Sequence, residues 1–175
     1  MAKRVTAILL LLSAAGLARG GYPLPRSSEE GAARQESWRL ALERADRAVS
    51  ERRWDEAERL FAAVVDESEA ADVSGMMRAR ALDGLADLHQ RASRHEQAAR
   101  LYGEAATMWE RLLGPSQPRL GLTLRNLGVC YVALGRADEA RLAFERALAI
   151  FERAFGPSSA EVARTRRMLD QLADS

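Results

Sequence analysis

Few side chains of this 175-residue chain could do chemistry on their own. The single thiol, Cys130, offers a nucleophile, a redox centre or half of an intermolecular disulfide. It stands beside Leu127 and Tyr131 in a helical apolar pattern and reads as core, since an unpaired cysteine packs as a small hydrophobe. The two histidines, His89 and His95, are metal-ligand or proton-transfer types, but they fall on different helices with no third ligand beside them. Ser27, Ser28, Ser116, Ser158 and Ser159 lie in linkers or at helix starts. None sits in a G-x-S-x-G elbow, and Ser158 followed by Glu161 reads as a capping box, S-x-x-E. No phosphate loop occurs. No carboxylate pair stands out from helix-surface charge, where pairs such as Glu56/Arg59 read as solvated. No catalytic residue, cofactor or metal site is therefore expected. Of the tryptophans, Trp109 reads as packing, Trp38 as the start of the first helix and a cover on the exposed end of the helix stack, and Trp54 as a contact candidate if exposed.

The elements that carry these residues are helices. From Glu36 to Ala173 almost every segment has helical period and good helix formers, and none alternates as a half-buried strand does. The pattern predicts seven helices, over 35–50, 55–71, 76–91, 95–112, 118–133, 137–154 and 159–173. Pro115, Pro118 and Pro157 fall between them. The connections are short, so neighbours should pack antiparallel in an all-α fold.

The N-terminus differs. Lys3 and Arg4 precede an uncharged run, Val5 to Ala18, with small residues at Ala18 and Gly20. This is the layout of a secretory signal peptide over 1–20. The run is shorter than the ~20 residues that span a bilayer, so no membrane span is expected once it is cleaved. An uncleaved anchor is the alternative. Without 1–20 the chain keeps 23 basic and 25 acidic residues, unlike the basic footprint of a nucleic-acid binder. Residues 21–34, with Pro23 and Pro25, read as a flexible linker. One cysteine provides no internal disulfide framework, so the core rests on packing. One lysine against 25 arginines suggests a GC-rich bacterial source. The expected location is therefore periplasmic or extracellular.

The chain repeats itself. Residues 110–116, "ERLLGPS", return as "ERAFGPS" at 152–158. Laying 78–118 over 120–160 gives ten identities, among them Leu82/Leu124, Leu85/Leu127, Ala98/Ala140, Ala105/Ala147 and Gly114/Gly156. A weaker copy lies upstream at a shift of 41, aligning Ala45 with Ala86, Ala57 with Ala98 and Phe61 with Tyr102. Each unit sets a small residue on its first helix (Ala45, Ala86, Gly128) against one on its second (Ala57, Ala98, Ala140), which allows close approach. A large aromatic follows (Phe61, Tyr102, Phe144). One helix pair cannot bury its own apolar face, whereas stacked pairs can. In the "GPS" stretches glycine should take a left-handed C′ conformation, proline stop the helix, and Ser116 and Ser158 cap the next one.

This pattern resembles the tetratricopeptide repeat family, in the 42-residue form found in kinesin light chain. The resemblance rests on Leu127, Gly128, Tyr131, Ala140, Phe144 and Ala147, and on Leu85, Ala86, Ala98, Tyr102 and Ala105, with His89 where Tyr is usual. The first copy has Arg44 at the Leu position and lacks the Gly-Pro ending, which leaves a different register open for its first helix. The resemblance implies an α-solenoid over 35–173, a right-handed superhelix of antiparallel pairs. Its repeats would lie at about 36–74, 78–118 and 120–158, with a capping helix at 159–173. It also implies that the first helix of each repeat lines a concave groove. The family's groove positions correspond here to Arg80, Asp83, Asp87, Gln90 and Arg91, then Leu122, Arg125, Val129 and Val132 with Asn126 beside them, then Arg164 and Arg167. Such a groove would be acidic in the middle, apolar with arginine further on, and basic at the end. Some members clamp a partner's terminal carboxylate with Lys, Arg and Asn at such positions. Arg125 and Asn126 are a fragment of that set, and it is not expected here. The function expected is an exported scaffold holding a protein or peptide. The alternative is a self-associating or membrane-tethered subunit of an envelope complex.

Overall fold

The computed structural model describes residues 26–69 and 75–174. The expected signal peptide lies outside them. Among the described residues there are seven helices and no strand: α1 Arg26–Ser50, α2 Trp54–Glu69, α3 Gly75–Arg91, α4 His95–Leu113, α5 Pro118–Ala133, α6 Ala137–Phe155 and α7 Ala160–Ala173. The packed unit is Ala32–Ser175. α1 begins at Arg26, before the expected start near 35. Pro25 stands just before it, and the helix formers Ala32, Ala33 and Arg34 outweigh the serines. Trp38 therefore lies inside a helix, 2 % exposed, with its Nε1 donating to Glu67 at 2.9 Å.

Successive helices pack in pairs, and the pairs stack. The small residues behave as their spacing demands: Ala45, Ala57, Ala86, Ala98 and Ala140 are fully buried. At Gly128 an added Cβ would lie 2.5 Å from Phe144 Cε1. The first repeat keeps the same register, since Arg44 is exposed while Ala45 and Phe61 are buried. One core cluster joins α1, α2 and one side of α3 through Leu42, Phe61, Ala81 and Leu85. The other joins the opposite side of α3 to α7 through Leu82, Ala86, Tyr102, Trp109, Phe151 and Val162.

The turns recur as faithfully as the cores. Within each repeat one residue takes φ near +60 to +70°: Arg52 (59°), Ser93 (59°) and Gly135 (71°). The amide after it donates back across the turn, from Arg53 to Ala48, Arg94 to His89 and Arg136 to Tyr131, at 2.8–2.9 Å. Between repeats, Gly114 and Gly156 have φ of 88° and 81° with ψ of 169° and 163°. They occupy the extended, glycine-only region rather than the left-handed helical one expected. The serine assignments also shift. Ser159, not Ser158, caps α7 by accepting from Val162 N at 3.4 Å. Gln117 occupies the N-cap of α5 without a side-chain bond, while Ser116 instead accepts from Arg153 at 2.5 Å. In both cases the N-cap falls one residue later than expected. Glu56 pairs with Arg53 rather than with the expected Arg59.

Candidate functional site

The first helices of the repeats, α1, α3 and α5, and the final α7 present three clefts at equivalent sequence positions. The first, about 290 Å³, is lined by Asp46, Val49, Phe61, Arg80, Asp83, Gly84, Asp87, Leu88, Arg91 and Arg119. The second, about 150 Å³, is lined by Asp83, Asp87, Tyr102, Arg119, Leu122, Thr123, Arg125 and Asn126. The third, about 340 Å³, is lined by Val129, Val132, Phe144, Met168, Gln171 and Leu172. The expected groove residues other than Gln90, Arg164 and Arg167 line these clefts, although two of them are not free to serve a ligand.

Asp83 is one of these. It is 7 % exposed and both its oxygens are occupied. Trp109 Nε1 donates to it at 2.9 Å, Thr123 Oγ1 at 2.8 Å and Arg119 Nε at 3.1 Å. Burial pushes its carboxyl above the usual range, with the bond from Trp109 opposing most strongly. Arg125 is the other, 6 % exposed, donating to Glu161 with its guanidinium 5.3 Å from the Phe151 ring centroid. These are the same lock built twice with reversed polarity. Asp83, Arg119 and Trp109 become Arg125, Glu161 and Phe151 at a shift of 42. Both residues tie one repeat to the next, which corrects their assignment as partner-binding groups.

The other expected residues differ from cleft to cleft. Arg80 donates to Asp46 across the first cleft, and the Phe61 ring fills the space over Gly84. In the second cleft Asp87 accepts from the Tyr102 hydroxyl. Gln90 lies 3.0 Å from that hydroxyl, and Asn126 Nδ2 donates to Asp87 at 3.3 Å. Burial and the Asp87 carboxylate push the Tyr102 phenol far above its usual range. The network satisfies itself, and Leu122 stands half-exposed at its edge. In the third cleft Val129 is partly buried and Val132 is 47 % exposed. Arg164 and Arg167 are exposed one turn before Met168 and Gln171 on α7. Arg167 Nε donates to the backbone at Ala163 O, 3.3 Å away. Along α3, α5 and α7 the cleft linings run from charged and polar to apolar, with Arg164 and Arg167 exposed beyond the last.

Of the chemically capable groups, Cys130 is fully buried, its thiol pushed up to about 11 by burial and by the Asp87 carboxylate. His89 is mostly buried, with Gln97 Oε1 3.2 Å from its Nδ1. Burial, and then Arg94, hold its pKa below the usual value. Trp54 is 40 % exposed, with the Arg91 guanidinium 5.6 Å from its ring centroid. Among the described residues no three His, Cys, Asp or Glu side chains converge as a metal site requires. Two sets of residues escaped the sequence reading. The partners of Asp83 were signalled by an acid on the buried row Ala79–Asp83–Ala86. Met168 and Leu172 were signalled by comparing repeat positions, which pairs Asn126 with Met168 and Cys130 with Leu172.

The comparisons with known proteins agree with this geometry. No curated protein matches the chain. In structure it is similar to BtubC (BKLC) from P. vanneervenii, with TM-score 0.64 and 23 % identity over 73 % of this chain and 51 % of that one. It is also similar to a putative kinesin light chain with nearly identical TPR-like repeats from Podosopora anserina, with TM-score 0.67 and 20 % identity over 79 % and 66 %. The chain thus spans about half the length of the first and just under two thirds of the second. A third likeness is to PcrH of Pseudomonas aeruginosa, solved in complex with the chaperone binding region of PopD. Its TM-score is 0.63 and its identity 23 %, over 80 % of this chain and 93 % of that one. A family model described as tetratricopeptide repeat matches residues 77–153 and 123–172, more than half of the sequence. With its stacked helix pairs, small-residue contacts and recurring turns, the chain belongs to the tetratricopeptide repeat family.

Proposed function

We propose that this protein is a non-catalytic interaction scaffold that holds a segment of a protein partner across the clefts of α3, α5 and α7. The observation that carries the reading is the row of three equivalent clefts, differently lined from one repeat to the next. A row of that kind can read a sequence of side chains along one bound segment. Support comes from PcrH, a protein of similar fold solved with a region of PopD bound. Export to a bacterial periplasm or the medium is part of the proposal. It is motivated by the Lys3–Arg4 start and the uncharged run Val5 to Ala18. Among the described residues no helix is long and apolar enough to cross a membrane.

End-to-end stacking of copies is the weaker reading, because both end faces expose charged side chains where the inner repeats have apolar or small ones. On α1, Glu36, Leu40, Arg44 and Arg47 are exposed where α3 has Met77, Ala81, Leu85 and Leu88. On α7, Arg166 and Asp170 are exposed where α5 has Leu124 and Gly128. The test is co-purification from cells of the source organism, comparing the wild type with Arg80→Glu, Leu122→Asp and Arg167→Glu, and with Leu142→Asp on the outer surface as control. The groove variants should lose a partner that the control keeps. Retention of every partner by all three groove variants refutes the scaffold reading. The mass of the protein recovered from the envelope fraction tests export separately: removal of about 20 residues is expected, and an intact N-terminus favours a tether.

A further inference from the structure

Within one chain, equivalent positions act as internal controls. In the second cleft Asp87, Gln90, Tyr102 and Asn126 form the closed polar network. At a shift of 42 their counterparts are Val129, Val132, Phe144 and Met168. Four polar groups have become apolar together, and the phenol that tied the network is gone. The cleft has not filled in as a result. It is the largest of the three, at about 340 Å³, and Val132 stays 47 % exposed at its mouth. An apolar wall left open to water costs free energy that a filled core would not. Arg164 and Arg167 lie exposed on the same face of α7, one turn away, and among the described residues no acidic side chain lines the cleft.

Resting on the scaffold reading, we infer that the cleft between α5 and α7 takes a short acidic, apolar segment of a partner protein. Its apolar side chains enter against Val132, Phe144 and Met168, and a neighbouring carboxylate meets Arg164 and Arg167. Charge selects this occupant. The chain's own apolar run, Val5 to Ala18, is flanked by Lys3, Arg4 and Arg19, which would place like charge against the two arginines. The second cleft cannot hold such a segment, because its walls are polar and already paired.

The test selects a library of random short peptides on phage against the full chain. Enriched peptides are then titrated against variants whose melting temperatures show that they fold. Enrichment of sequences with two or more apolar residues and an Asp or Glu nearby is expected. Val132→Asp and Met168→Asp should each weaken binding at least about tenfold. Arg164→Gln with Arg167→Gln should weaken it about fivefold and remove most of its salt dependence. Leu142→Asp should change nothing. Basic enriched peptides, or binding indifferent to Val132→Asp and Met168→Asp, overturn the inference. If such binding falls with Arg80→Glu or Leu122→Asp instead, the scaffold reading stands without this site. Failure to enrich any peptide counts against both. Wild-type self-association abolished by Val132→Asp makes the occupant a second copy and also overturns the inference.

Discussion

Replacing Asp83 with leucine probes the lock between the second and third repeats. The first repeat already uses this solution, with Leu42 and Met77 standing where Asp83 and Arg119 stand in the next. In the Asp83→Leu variant the Trp109 Nε1, now 2.9 Å from its acceptor, is left buried without one. Thr123 keeps a bond to Arg119 O at 3.2 Å, and Arg119, nearly half exposed, turns to water. The dominant loss is one buried unsatisfied donor, about 1–3 kcal/mol. Removing a carboxylate that burial already disfavours offsets a part of the rest. A net cost of about 2 kcal/mol lowers the melting temperature by roughly 4–8 °C for a domain of this size. Adding Trp109→Phe and Thr123→Val removes the stranded donors and should restore most of that loss, since the third repeat has Phe151 at the tryptophan position. Thermal and urea unfolding followed by circular dichroism read both variants. If Asp83→Leu leaves stability within about 0.5 kcal/mol of wild type, or if the triple variant is no better than the single, the lock does not hold the repeats together.

Four further outcomes are expected. Gly128→Ala improves helix propensity by about 1 kcal/mol, yet drives a methyl to 2.5 Å from the Phe144 ring. Overpacking of about 1–3 kcal/mol should win, so urea unfolding should find the variant less stable. Ser93→Gly should gain about 0.5–1 kcal/mol by calorimetry, because it places glycine where φ is 59° and where the third repeat has Gly135. The pKa of His89 lies below its ordinary 6.5 in the fold, so the unfolded chain binds the proton first. Its contribution to stability is then full above about pH 6.5 and lost as pH falls through the lowered value, and His89→Tyr should flatten that part of a melting-temperature profile. Cys130, fully buried with its thiol pushed up to about 11, should resist a thiol reagent at neutral pH until the protein is unfolded.

The repeat and its helices were legible because their cause is local. Small residues at Ala86 and Ala98 or Gly128 and Ala140, and the Gly-Pro stops, act over a few turns of chain. The start of α1 was less so: Pro23, Pro25 and two serines suggested a linker, while the alanines and arginine behind them carry helix from Arg26. The roles of Asp83 and Arg125 could not be read from periodicity, which places a residue on a face without naming its partner. Those partners sit 36 to 40 residues away, at Arg119, Thr123 and Glu161. Repeat-to-repeat comparison recovers part of this, because a reversal of charge at Asp83/Arg125 and at Arg119/Glu161 together signals a pair. The same comparison exposes the third cleft, where four polar positions turn apolar at once.

The central claim is that partners are held on the face formed by α3, α5 and α7. Placing a photo-activated cross-linking residue singly at Leu122, Val132 and Leu142, then irradiating cells of the source organism, tests it most directly. All three side chains are exposed, so reach is comparable. Adducts to another protein from Leu122 and Val132, with none from Leu142, are the predicted result. Adducts confined to Leu142, on the second helix of its repeat, would place the partner on the other surface and contradict the account.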